Sequence, residues 1–143
     1  MNYRWFTLLL AAGQIMTSNS IADDQVARKV ASIGFETAYF GYNVRSLNDE
    51  AREVLNRNVE KLKENPTAII EVQGHCDNRG SVTVNFEVGE QRAESVKEYL
   101  ISKGIQPNRI FTISMGKGMP MAAGDTEEAW AQNRRASFHV LSI

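Results

Sequence analysis

Val72-Gln-Gly-His-Cys-Asp-Asn-Arg-Gly-Ser81, a bridge through Asn85, and Gly89-Glu-Gln-Arg-Ala-Glu-Ser-Val96 decide how this chain reads. The apolar, strand-like run from Ala68 to Val72 ends in Gly74. A polar, glycine-punctuated loop comes next, and an amphipathic helix is expected to begin near Gly89. Asp77 stands at the start of the loop, and Arg92 in the first turn or so of the helix. Open α/β layers place ligands at the C-terminal edge of a strand. The free N–H groups of a helix start favour an anion. Asp77 and Arg92 therefore read as a two-signed clamp for a zwitterion.

The flanking segments supply the frame. Thr37 to Phe40 is rich in β-formers and predicts a first strand, broken by Gly41 and Asn43. Ser46 or Asn48 can cap the next helix, and Asp49 and Glu50 suit its first turn. Ala51, Val54, Leu55, Val59 and Leu62 make one apolar stripe. Asn65-Pro66 ends that helix, because a residue before proline is pushed out of the α region. Ala68 to Gln73 predicts a second strand, and its Ile69-Ile70 pair argues for a central or doubly covered place. In the second long helix Ala93, Val96, Tyr99 and Leu100 share a face, and Gly104 ends it. Arg109 to Met115 alternates as a third strand. Thr126 to Gln132 predicts a short helical turn. Ala136 to Ile143 is the last strand, with Phe138 and Val140 inward. The expected fold is α/β: a two-layer sandwich, β-α-β-α-β-β, with two main helices on one face of a four-stranded mixed sheet.

The totals agree with one domain. The chain has 143 residues, 43% of them apolar, with a net charge of −1. Near-neutral charge gives no basic field for nucleic acid or an anionic membrane. No apolar run is long enough to span a bilayer. Residues 1–22 read as a signal peptide: Arg4, the apolar block Trp5 to Ala12, and small residues at Ser20 and Ala22. A buried N-terminal helix is the alternative. Residues 23–36 place Val26, Val30 and Ile33 at helical spacing; a short helix and an unstructured lead-in both fit, and the lead-in is preferred. Residues 37–143 form the domain. Cys76 is the sole cysteine, so no intramolecular disulfide forms.

Gly74-His75-Cys76-Asp77, Arg79-Gly80, Asn85, Arg92-Ala93 and Val96 resemble the central motif of the OmpA-like C-terminal domain family. Gly104-Ile105, Asn108-Arg109-Ile110, Gly116-x-Gly118-x-Pro120 and Asn133-Arg134-Arg135 continue that pattern in order, over about Thr37 to Leu141. Gly124 to Arg135 is most similar to the peptidoglycan-associated lipoprotein branch. The resemblance implies non-enzymatic peptidoglycan binding in the periplasm of a Gram-negative-type bacterium. The wall's diaminopimelate residue would lie between Asp77 and Arg92. Asn85, Asn43 and Gly41 match positions near the site, and His75 and Arg134 are supporting candidates. The stem peptide is the implied partner, with another envelope protein as a second; no cofactor is implied. Three departures stand out. Cys76 replaces a common Thr or Ala, Gly41 replaces an Asp, and the branch's lipid-bearing cysteine is missing, so a lipid tether of that kind is not expected.

Each sharp reading has a plain counterpart. Asp77 and Arg92 could be a structural ion pair, and the fold could survive as a protein-interaction module with a vestigial wall site. His75, Cys76 and Asp77 do not make a Cys-His enzyme, because adjacent residues on an extended chain point to opposite faces. Two histidines and one cysteine are thin ligands for zinc. Arg134 and Arg135 could form an anion site; one fixing a loop and the other solvated is the preferred reading.

Overall fold

The computed structural model describes residues 18–143. The expected signal peptide, residues 1–22, lies largely outside the described residues. The segment expected as an unstructured lead-in is instead helical: α1 spans Ser18–Ile33. The helical spacing of Val26, Val30 and Ile33 prevails, aided by an i,i+4 pair of Asp24 and Arg28. Only its end meets the core. Ile33 is buried, Val26 is half exposed, and Phe35 just beyond the helix stacks on Phe138 at 5.5 Å.

β1 is short, Ala38–Tyr39. Helix α2, Asp49–Glu64, starts at Asn48, whose side chain accepts from the Ala51 N–H at 2.8 Å. It stops at Asn65, ahead of Pro66. Ala51, Leu55, Val59 and Leu62 form its buried stripe, as expected from their spacing. Asn58 is buried with them, a polar residue that apolar periodicity does not flag. Its amide exchanges two hydrogen bonds with the Glu36 backbone, at 2.9 and 2.8 Å, and so ties the entry to β1 onto α2.

β2 runs from Ile69 to His75. Helix α3 spans Val82–Ser102, capped by Ser81, whose hydroxyl accepts from the Val84 N–H at 3.2 Å. It begins well before the expected Gly89. The β-branched and aromatic residues Val82, Val84 and Phe86 hide the helix from propensity. A short 3₁₀ turn, Pro107–Arg109, leads into β3, Ile110–Gly116. Helix α4, Glu127–Asn133, is capped by Thr126, and β4 spans Arg135–Ser142.

The sheet order is β1-β4-β2-β3, with β2 parallel to β3 and β4 antiparallel to both its neighbours. β2 is thus an interior strand, as its paired isoleucines implied. Ile70, Val72 and Gly74 face the helices, in register with Val140, Phe138 and Ala136 of β4. Leu55, Leu62, Val96, Leu100 and Ile110 close one core over that face. The expected two-layer α/β sandwich is the fold observed. No helix among the described residues is long and apolar enough to cross a membrane.

Gly74 and Gly89 let β2 and α3 touch backbone to backbone. A Cβ on Gly74 would lie 1.7 Å from the Gly89 carbonyl oxygen. One on Gly89 would lie 2.3 Å from Ser114 Oγ and 2.8 Å from the Gly74 oxygen. Main chain cannot yield here as a flexible side chain would. Gly74→Ala is expected to lower unfolding stability by about 3 kcal/mol or more, at the upper end of overpacking costs. Gly104→Ala, at φ +97 with open space around it, is expected to cost about 1–3 kcal/mol, from backbone strain alone. Urea midpoints of the two variants check the ranking.

Candidate functional site

The C-terminal end of β2, the loop after it and the loop after β1 enclose a cleft of about 100 Å³. Tyr42, Asn43, Asp77, Arg79, Asn85, Arg92 and Arg134 are among its walls. Its place at the end of an interior strand is the one expected for a ligand site.

Asp77 and Arg92 line this cleft together but do not pair with each other. Arg92 is 1% exposed and lies in the third turn of α3 rather than the first. The positive end of the helix therefore does not act through it. Its guanidinium reaches back to the main chain. Nε donates to the Val44 oxygen at 2.9 Å, Nη1 to the His75 oxygen at 2.9 Å, and Nη2 to the Gly41 oxygen at 3.0 Å. Nη1 also approaches Cys76 Sγ at 3.6 Å. Those contacts use four of the five guanidinium N–H groups and leave one on Nη2. Arg92 therefore has no free pair of N–H groups with which to grip a ligand carboxylate two-pronged in this arrangement. Burial lowers the Arg92 pKa, Arg134 adds to that, and the charge of Asp77 opposes it.

Asp77 pairs with two other arginines. Its Oδ1 accepts from the Arg79 N–H at 3.0 Å and from Arg79 Nε at 3.3 Å. Its Oδ2 accepts from Arg79 Nη2 at 2.7 Å, and Arg134 Nη1 stands 3.6 Å away. Burial raises the Asp77 carboxyl pKa, but the Arg79 hydrogen bonds and the two cations outweigh it, and the net shift is downward. Arg134 is buried and spans from the Phe40 oxygen at 2.9 Å to Glu127 at 2.6 Å.

The other expected residues divide by role. Asn43 lines the cleft in a left-handed conformation, φ 52, which asparagine tolerates. Asn85 sits in the first turn of α3 and donates to the Arg79 and Ser81 oxygens at 2.7 and 2.9 Å, so it shapes the loop. Gly41 contributes its carbonyl to Arg92 and lies outside the cleft wall. His75 also acts here through its carbonyl. Its ring turns to the other face of the sheet, 3.1 Å from Ser137 Oγ. Arg134 and Arg135 likewise part to opposite sides: Arg135 lines a separate cavity with His75 and His139. They form no shared anion site. Cys76 is buried, its thiol directed to the Asn85 oxygen at 3.2 Å, and burial raises its pKa. Among the described residues, no three His, Cys, Asp or Glu side chains gather as metal ligands.

Sequence reasoning passed over the environment of Arg79. Its guanidinium lies between two rings, 4.0 Å from the centre of Tyr42 and 3.8 Å from that of Trp130. Trp130 Nε1 donates to Asn78 Oδ1 at 2.8 Å, and Asn78 donates to Asp125 at 2.6 Å. The Asp-x-Arg spacing at Asp77 and Arg79 was the visible signal, since an aspartate readily caps the N–H two residues on.

The model of the OmpA family matches residues 39–134. The peptidoglycan-associated lipoprotein of Pseudomonas aeruginosa is 34% identical over 121 residues, covering 85% of this chain and 71% of that protein. The crystal structure of the peptidoglycan-associated lipoprotein from Burkholderia pseudomallei superposes with a TM-score of 0.70 at 35% identity, over 73% of this chain and 88% of that one. The C-terminal domain of Helicobacter pylori MotB has a TM-score of 0.71 at 22% identity, over 77% of this chain and 87% of that one, a likeness of fold alone.

The His75 ring supplies a prediction. Burial, Arg135 and His139 lower its pKa from 6.5 to about 4. The folded protein thus binds fewer protons here than the unfolded chain between those values, so stability falls as pH drops through that window. Chemical denaturation from pH 7 to pH 4 is expected to show a loss in the wild type that His75→Gln largely lacks.

Proposed function

The chain belongs to the OmpA family, and on that premise we propose that it is a non-enzymatic peptidoglycan-binding domain that takes the diaminopimelate residue of the stem peptide in the Asp77–Arg92 cleft. The cleft's mixed charge carries the reading. One buried carboxylate, Asp77, lies among the guanidinium groups of Arg79, Arg92 and Arg134. The free end of meso-diaminopimelate bears an ammonium and a carboxylate on one carbon. Asp77 takes the ammonium. The free Nη2 hydrogen of Arg92, with the surplus positive charge around it, takes the carboxylate. A cleft of about 100 Å³ has room for a small polar head group larger than one water.

The names of its relatives support the wall as the target. The same reading puts the chain in the periplasm of a Gram-negative-type bacterium, where it contributes to envelope anchoring. Lysine in the same stem position has the ammonium but lacks the second carboxylate, so the surplus guanidinium charge stays unmatched. Leaving a buried charge unmatched costs about 2–5 kcal/mol, which is ample discrimination.

Co-sedimentation with isolated sacculi tests this. Wild type is expected to pellet with diaminopimelate-type sacculi at least about tenfold more strongly than with lysine-type sacculi, and Asp77→Asn is expected to lose most of its binding to the diaminopimelate type. Arg92→Lys keeps the charge but cannot reach three carbonyls, so it is expected to lose both binding and thermal stability. Equal pelleting of wild type and Asp77→Asn, both folded, would reject the proposal.

A further inference from the structure

The side chain of Asp77 is 5% exposed. An incoming ammonium cannot reach it unless a neighbouring group leaves. Two cations cover it, and they are held very differently. Arg134 is 7% exposed and fixed from both ends, by the Phe40 oxygen and by Glu127. Arg79 is 30% exposed, and its side-chain hydrogen bonds all go to Asp77. The faces of Tyr42 and Trp130 hold it in the plane between them, and Tyr42 is itself 64% exposed. The backbone beneath is anchored independently: the Arg79 oxygen accepts from Asn85, the Gly80 oxygen from Lys117 at 2.7 Å, and Asn78 binds Asp125 and Trp130. The Arg79 side chain can swing out while its loop stays in place.

We propose that Arg79 is a resident cation of the Asp77 subsite, a displaceable plug that a ligand's ammonium must expel in order to bind. The proposal rests on the assignment of Asp77 to the ammonium. Binding is then an exchange of one cation for another on the same carboxylate. The Asp77 carboxylate stays paired throughout, which spares the protein a buried, uncompensated charge in the empty state. Affinity is lowered by the bidentate pair and the ring contacts that must break. Selection sharpens as well. A single-charged amine must break the Arg79 contacts and gains only Asp77, whereas a zwitterion also gains the surplus guanidinium charge.

The test compares wild type, Arg79→Ala and Asp77→Asn on diaminopimelate-type sacculi, and tracks the Arg79 Nε–H resonance of the wild type during titration with free meso-diaminopimelate. Arg79→Ala is expected to bind about tenfold more tightly, the change that about 1.4 kcal/mol of lost competition gives. In the wild type the Nε–H signal, displaced by the ring currents of Tyr42 and Trp130, is expected to move to the position of a solvated arginine at saturation. Equal or weaker binding by Arg79→Ala, with Asp77→Asn still inactive, would overturn the plug and leave the wall-binding reading standing. An Arg79 signal that stays displaced at saturation would do the same, and it decides the matter even where the variant does not fold. Wild-type binding by Asp77→Asn would remove the wall-binding reading and the plug with it.

Discussion

The approach of β2 to α3 at Gly74 and Gly89 sets the geometry on which the rest depends. Glycine inside a helix costs roughly 1 kcal/mol against alanine. The contacts of Arg92, on the next turn of the same helix, offset that cost. With the helix backbone pressed against the strand, the side chain of Arg92 passes beneath the strand's end and meets the carbonyls of His75, Gly41 and Val44. Ser114 Oγ seals the same contact from β3, donating to the Phe86 oxygen at 2.7 Å. A wider helix-to-sheet gap would leave that guanidinium short of its acceptors.

Buried and half-buried arginines recur as staples in this fold. Arg92 joins the loop after β1 to the end of β2. Arg109 joins the 3₁₀ turn to the end of α2 and the start of β2, donating to the Leu62, Asn65 and Ala68 oxygens at 2.9, 2.7 and 2.9 Å. Arg135 donates to the Asn133 and Met119 oxygens. Each satisfies carbonyls that irregular backbone would leave orphaned in the interior. Each also gives up hydration without a carboxylate in return, which is why burial lowers the pKa of all three. Lysine could not replace them, because one ammonium cannot serve acceptors spread around a plane.

Much of this was legible in the residues. The apolar stripe of α2, its Asn48 cap and its stop before Pro66 come from spacing and local chemistry, and the structure agrees on each. The interior place of β2 was readable from its paired isoleucines. The start of α3 was not, because Val82, Val84 and Phe86 carry weak helix propensity while Gly89 looks like a boundary. Gly89 is where it is because of Gly74, a contact that only tertiary structure reveals. The site was half legible for the same reason. The motif indicated that Asp77 and Arg92 share a place, and they do share a cleft. It could not show that Arg92 spends most of its donors on main chain, nor that Arg79 lies over Asp77 between two rings brought from residues 42 and 130.

The charges around the cleft bear on what it can hold. Glu127 answers Arg134 from the solvent side, so the inner surface carries Asp77 against Arg79 and Arg92. A ligand with positive charge alone meets one acid already neutralised by arginine, and nothing else that attracts it. A ligand with negative charge alone meets the guanidinium surplus but brings a second anion beside Asp77. Under the exchange proposed above, a ligand with both signs on one carbon would release Arg79 from Asp77, supply the replacement cation, and set its own carboxylate toward the freed positive charge. The Arg79 contact that covers the acid would therefore, on that proposal, also favour a zwitterion as its replacement.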